Sequence, residues 1–181
     1  MPWTPLSRPG RPARPVLALT LVLAGAAGAV AAPVAHTQLQ RCPYTAEELS
    51  AATGLKIELV PLMTFAGAPK PMTEPVNGEM FLSCSATDGA VSASLLVSQR
   101  WFDPKTAAVR IKALQLRDLK DAKPLPGDAD GALWLSEREG AKQALHYVRG
   151  GNVMVMVSIN GVPQPLVNGM QAKLLKLRRV P

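Results

Sequence analysis

The chain has 181 residues, 48% of them hydrophobic and 4% aromatic, with 20 basic and 13 acidic side chains for a net charge of +7. So mild a basic excess favours neither a nucleic-acid binder nor strong adsorption to membranes. The two cysteines are 42 positions apart, which excludes the Cys-x-x-Cys spacing of a redox-active thiol pair.

Arg8, Arg11 and Arg14 precede an apolar run from Val16 to Val30, and Ala29-Val30-Ala31 closes it. A basic start, a short apolar core and an A-x-A exit are the requirements of a cleaved secretory signal peptide, expected over residues 1–31. A membrane-spanning helix needs about 20 apolar residues; this run is shorter, rich in Ala and Gly, and followed by Pro33. The segment has neither a lipid-accepting cysteine nor adjacent arginines, so no stable membrane anchor and no twin-arginine export are expected. Periplasmic or secreted localisation follows. The remaining 150 residues, 17 basic against 13 acidic, fit one domain. Export makes a Cys42–Cys84 disulfide the expected fate of the two thiols.

Residues 32–41 lack periodicity and are expected to be flexible until Cys42 ties the chain down, with a single domain over 42–181. Thr45-Ala46-Glu47-Glu48 is a capping box and Gly54 a left-handed stop, predicting a helix over 46–52. Leu55 to Leu62 alternates in period two around Lys56 and Glu58 and predicts a strand, ending near Pro61. Thr64 to Glu79 holds too many prolines and glycines for a regular element. Met80–Thr87 and Ala90–Arg100 flank Asp88-Gly89, which predicts a hairpin with a two-residue type I′ turn. Asp103 as N-cap and Pro104 at the first helical position open a helix to about Lys120. Lys123 to Gly131 reads as a connection. Strands over 132–136, 142–149 and 152–159 follow, the last two joined at Gly150-Gly151. Leu166, Val167, Met170, Leu174 and Leu177 predict a closing amphipathic helix, with Lys173, Lys176, Arg178 and Arg179 in its last turns, where the helix dipole favours cations. The sum is an α+β fold: an antiparallel sheet of about six strands flanked by two or three helices, with one disulfide.

The residues that carry chemistry are sparse. A nucleophilic triad needs a histidine base, and only His36 and His146 are present, neither beside a G-x-S-x-G, S-x-x-K or H-E-x-x-H motif. Gly127-Asp128-Ala129-Asp130-Gly131 misses the glycine position of an EF-hand, so its aspartates are expected to bond their own turn. Met154-x-Met156 has the thioether pair of a Cu(I) site, but a two-residue turn at Gly150-Gly151 sets Tyr147 opposite Met154 and Leu145 opposite Met156. His146 then points to the other face, and the methionines are assigned to core filling; a register one residue different brings His146 opposite Met156. No metal and no cofactor are expected. Arg110, Arg117 and Lys120 on the middle helix, with Arg100 and Trp101 at its entrance, are the candidate ligand-binding residues, suited to a phosphate, a glycan acid or a lipid head group.

Cys42-Pro43-Tyr44-Thr45-Ala46-Glu47-Glu48, Thr53-Gly54, Cys84-Ser85 before a hairpin, and Leu125-Pro126-Gly127-Asp128-Ala129 before a strand together resemble small secreted bacterial domains of unknown function. These are similar to disulfide-tied lipoproteins and receptor-kinase sensor modules. The resemblance covers most of the chain after residue 41 and transfers no catalytic residues. It implies a curved antiparallel sheet flanked by helices, presenting a face or groove to a ligand. The expected function is therefore an exported, non-catalytic binding or sensor-like module of the bacterial envelope, taking a small ligand, an envelope component or an envelope protein, and no nucleic acid. The alternatives are an envelope hydrolase of unfamiliar type, with Asp128, Asp130, Glu137 and His146 as its nearest cluster, or an inhibitor or partner of an envelope enzyme.

Overall fold

The computed structural model describes residues 32–58, 60–62 and 74–180. The predicted signal peptide and most of the predicted loop Thr64–Glu79 lie outside the described residues. The elements are α1 (Ala46–Thr53), β1 (Glu79–Asp88), β2 (Ala93–Phe102), α2 (Ala107–Asp118), β3 (Lys123–Pro124), β4 (Leu133–Glu137), β5 (Lys142–Arg149), β6 (Val153–Asn160) and α3 (Gln164–Leu174), with single 3-10 turns at His36–Gln38 and Arg138–Gly140. The strands form one antiparallel six-stranded sheet in the order β1-β2-β6-β5-β4-β3. The fold is α+β.

Successive side chains along each strand point to opposite sides, which gives the sheet two different faces. Leu95, Val97, Val153, Val155, Val157, Ile159, Leu145 and Tyr147 turn to one side, where Leu49 of α1 and Met170 and Leu174 of α3 complete the main core. α2 lies on the other side. There Phe102, Ala107 and Ile111 form a smaller cluster with Leu114, Val148 and Met154.

α1 forms for the predicted reason: the Thr45 hydroxyl accepts from the Glu48 amide, the Glu48 carboxylate accepts from the Thr45 amide, and Gly54 stops the helix at φ 75°. Cys42, just before this helix, is joined to Cys84 at the centre of β1, their Cα atoms 5.9 Å apart.

Leu55–Glu58 keeps the predicted alternation of buried Leu55 and Ile57 with exposed Lys56 and Glu58, but the described residues of Leu55–Leu62 form no strand. Its amides are taken by side chains, Lys56 N–H by Asp88 Oδ2 at 2.7 Å and Ile57 N–H by Ser50 Oγ at 3.0 Å, so no ladder is left to build. Backbone contact with the β1 edge among the described residues of this segment comes from Pro61 C=O and Leu62, at Ser85 and Cys84. The sixth strand is instead Lys123–Pro124, inside the predicted connection. The β1–β2 turn is also longer than expected: Asp88 pairs with Ala93, leaving four residues between the strands. Positive φ falls on Ser92 rather than on Gly89, because the Asp88 carboxylate accepts from the Ala90 amide and organises the loop from its other end. α2 begins three residues after the expected start, since Asp103 caps a preceding turn through Lys105 N–H.

Within residues 32–41, Val34 is tied to the sheet. Asn152 grips Val34 with both ends of its amide, Oδ1 accepting from Val34 N–H at 2.8 Å and Nδ2 donating to Val34 C=O at 2.9 Å, while Trp101 Nε1 donates to the same carbonyl at 2.7 Å. The same asparagine sets the β5–β6 turn. Its N–H donates to Arg149 C=O and its C=O accepts from Phe102 N–H, so Gly150, Gly151 and Asn152 all lie between the paired Arg149 and Val153.

Gly150 and Gly151 both adopt left-handed backbone, at φ 54° and 71°, but only a Cβ on Gly150 meets the clamped segment, 2.6 Å from Ala32 O and 2.9 Å from Val34 N. Alanine at either position incurs about 1–2 kcal/mol for its positive φ. Gly150→Ala is expected to cost at least about 1 kcal/mol more than Gly151→Ala in urea unfolding; equal losses would mean that Ala32–Val34 does not pack on the turn.

Candidate functional site

The three-residue turn corrects the predicted register. His146 pairs with Met156, Tyr147 with Val155 and Val148 with Met154, so His146, Met154 and Met156 share one face of the sheet. It is the face that α2 covers only in part. Across the strands the rows run Phe81, Arg100, Met154, Val148; then Ser83, Ser98, Met156, His146, Leu133; then Ser85, Leu96, Ser158, Ala144, Leu135. Beside the C-terminal half of α2, His146, Met154, Met156, Ser98, Leu96 and Ala144 of these rows floor an open groove of about 470 Å³ walled by Leu114, Asp118 and Leu119 on the helix side and by Leu135 and Glu137 on the β4 side. That volume is in the range of small-molecule sites, and a mostly apolar lining with few polar groups is their usual make-up.

His146 is the unusual group. Its side chain is almost wholly enclosed, with the residue 9% exposed, and its Nε2 is buried with no hydrogen-bond partner. Burial, then the Lys142 ammonium, push it down to about 4 from 6.5, against a smaller opposing pull from Asp118. The ring is therefore neutral at pH 7, with an unsatisfied nitrogen at the groove floor, an arrangement that costs stability. Lys142 is itself bound to Glu137, Nζ to Oε2 at 2.6 Å. Arg100 stacks over the Phe81 ring, 5.4 Å from its centroid, and no carboxylate pairs with it among the described residues.

The residues proposed from sequence do not gather into one site. Arg100 lines the groove, but Trp101, its neighbour in β2, points to the opposite face and is buried in the main core with its indole on Val34. Adjacent strand residues cannot share a face. Arg110 binds Glu79 at 2.9 Å, donates to Asn77 C=O and lies over the Phe102 ring. Arg117 makes a two-pronged contact with Asp118, at 2.6 and 2.8 Å. Lys120 is exposed just past α2. The cationic face of α2 is thus largely neutralised by its own neighbours.

The acidic cluster considered for hydrolysis divides between the two sides of the sheet. Glu137 and His146 border the groove, whereas Asp128 and Asp130 bind Arg179 and Arg149, with the Arg179 guanidinium over Tyr147. As expected for a self-bonded turn, Asp128 Oδ1 accepts from the amides of Asp130 and Ala132. Of the predicted closing cations only Lys173 lies in the last turn of α3, which ends at Leu174, and its Nζ donates to the C-terminal carbonyl of α1 at Thr53; Lys176, Arg178 and Arg179 follow the helix, and Arg178 binds Glu48. No group of three or more His, Cys, Asp or Glu side chains arranged for a metal occurs among the described residues. No helix among them is long and apolar enough to cross a membrane.

Sequence reasoning missed the groove because it turns on one residue of turn length. The available signal was Asn152, a polar residue directly after two glycines, which extends the turn instead of starting the strand.

No protein-family model matches the chain, and no curated protein matches it.

Proposed function

We propose that this chain is an exported, sensor-like binding module of the bacterial envelope and that its small ligand enters the groove between α2 and the sheet. The observation that carries this reading is the enclosed, unpartnered Nε2 of His146, a floor residue of a mostly apolar groove. Folded proteins rarely leave a buried polar atom without a partner, and a bound ligand supplies one. Binding is favoured over hydrolysis because Nε2 is bonded to no hydroxyl that it would activate. The disulfide is compatible with an extracellular setting, since such bonds persist in oxidising compartments.

The test uses the fluorescent probe 1-anilinonaphthalene-8-sulfonate, whose aromatic body suits the apolar floor and whose sulfonate suits Arg100. Saturable binding at one site is expected, weakened about tenfold, or about 1.4 kcal/mol, in Ser98→Phe, which fills the floor, and to a smaller degree in Arg100→Gln. Both variants should unfold cooperatively. Unchanged probe binding in the filled variant would remove the groove as the site.

A further inference from the structure

We infer that His146, Met154 and Met156 form a binding site for the soft monovalent ion Cu(I) on the floor of this groove. The assignment rests on the reading of the groove as a binding site and names its ligand. Three independent features lead to it. The first is register: His146 stands directly opposite Met156 on the neighbouring strand, a separation of about 5 Å between Cβ atoms, and Met154 is two residues further along the same face, about 7 Å away. All three line the groove.

The second feature is freedom to converge. Both methionines are only half-buried, and the unbranched thioether side chain has three rotatable bonds, so rotation of the side chains is the movement by which the two sulfurs would be carried toward the imidazole. The third is the vacant valence of the imidazole, whose buried Nε2 has no protein partner. A single-file pair of methionines would read as core filling. A buried histidine nitrogen without a bond, on the same face and in the adjacent register position, does not.

The chemistry of the set selects the ion. Two thioethers and a neutral imidazole are soft or borderline donors and suit Cu(I), whereas Ca²⁺ and Mg²⁺ take oxygen ligands and structural Zn²⁺ takes thiolates, imidazoles or carboxylates. Both thiols of the chain are consumed by the disulfide, so thiolate ligation is closed to it. Thioethers keep their donor character in an oxidising compartment, where thiols do not. Glu137 and Asp118 at the rim are each paired with a cation, Lys142 and Arg117.

The experiment titrates the oxidised protein anaerobically with Cu(I) against the chromophoric chelator bicinchoninate, and in parallel with Ag(I), a redox-stable substitute, while following methionine ε-methyl and histidine ring resonances by NMR. A 1:1 complex is expected, with Ag(I) shifting Met154, Met156 and His146 and leaving buried Met80 and Met170 in place, and with no response to Zn²⁺. The volume-conserving pair Met154→Leu and Met156→Leu keeps the fold and is expected to weaken Cu(I) binding by about a hundredfold when combined; Met170→Leu, in the main core on the other side of the sheet, leaves it unchanged. Retained affinity in the Met154/Met156 variant, or Ag(I) shifts confined to other methionines, overturns the site. If the fluorescent probe enters the groove while Ag(I) shifts none of the three residues, the metal assignment falls and the groove reading stands; if neither binds, both fall.

Discussion

Replacing both Cys42 and Cys84 by serine is expected to lower stability by about 4 kcal/mol, a fall in melting temperature of about 8–16 °C for a domain of this size. The bond joins residues 42 apart, so the unfolded chain loses the freedom of a long loop when it closes. The folded side adds to the loss, because Cys84 is completely buried in the middle of β1 and a serine there brings a hydroxyl with no designed partner. The variant is nonetheless expected to fold. Asp88 still binds Lys56 N–H, Tyr44 OH still donates to Arg178 C=O at 2.8 Å, and Lys173 still caps α1. Calorimetric melting of the oxidised protein and the double variant checks this, and a fall below about 3 °C would show that the loop is already closed by these other ties.

Acidification from pH 7 to pH 4 is expected to cost the metal-free protein about 3 kcal/mol through His146 alone. In the unfolded chain the ring titrates near 6.5, whereas in the folded state burial, aided by Lys142, lowers it to about 4. Between those values the unfolded state binds a proton that the folded state refuses, so stability rises with pH across this window and is lost as pH falls through it. The contribution is complete above pH 6.5 and gone below pH 4. Several carboxylates titrate at the lower end and have the same sign: Glu48 is held down by Arg178, and Asp118 by Arg117. Comparison with His146→Gln separates them. Urea unfolding of the variant should be flat between pH 6.5 and about 5, where the parent already declines; equal slopes would mean that the ring protonates freely in the folded protein.

The elements that sequence reasoning located are those whose signals are local. Thr45 and Glu48 close their own capping box, and the alternation of β5 and β6 reports burial on a pleated strand whatever lies beside it. The misses required knowledge of distant partners. Leu55–Glu58 carries a strand's pattern, yet Asp88 and Ser50 take its amides. Asp88-Gly89 is a hairpin signal, but Asp88 is engaged by Lys56, 32 positions away, and the turn lengthens. The candidate site followed the same rule. Arg100, a candidate from its place before the middle helix, lines the groove, whereas pairing it with Trp101 ignored the period of the strand they share, and the helix cations were counted without the acids, Glu79 and Asp118, that neutralise them.

The two ends of the sheet bear on how copies of this chain behave in a crowded solution. On the β3 side the outermost strand is two residues long and contains Pro124, which has no N–H to offer a newcomer; on the β1 side the segment at Pro61 and Leu62 overlies the middle of the border at Ser85 and Cys84. Each border is thus interrupted where an incoming extended chain would need an unbroken row of donors and acceptors. Fibril growth by stacking one molecule's sheet onto the next has no continuous template in the native state, and it requires Pro61–Leu62 to peel away first.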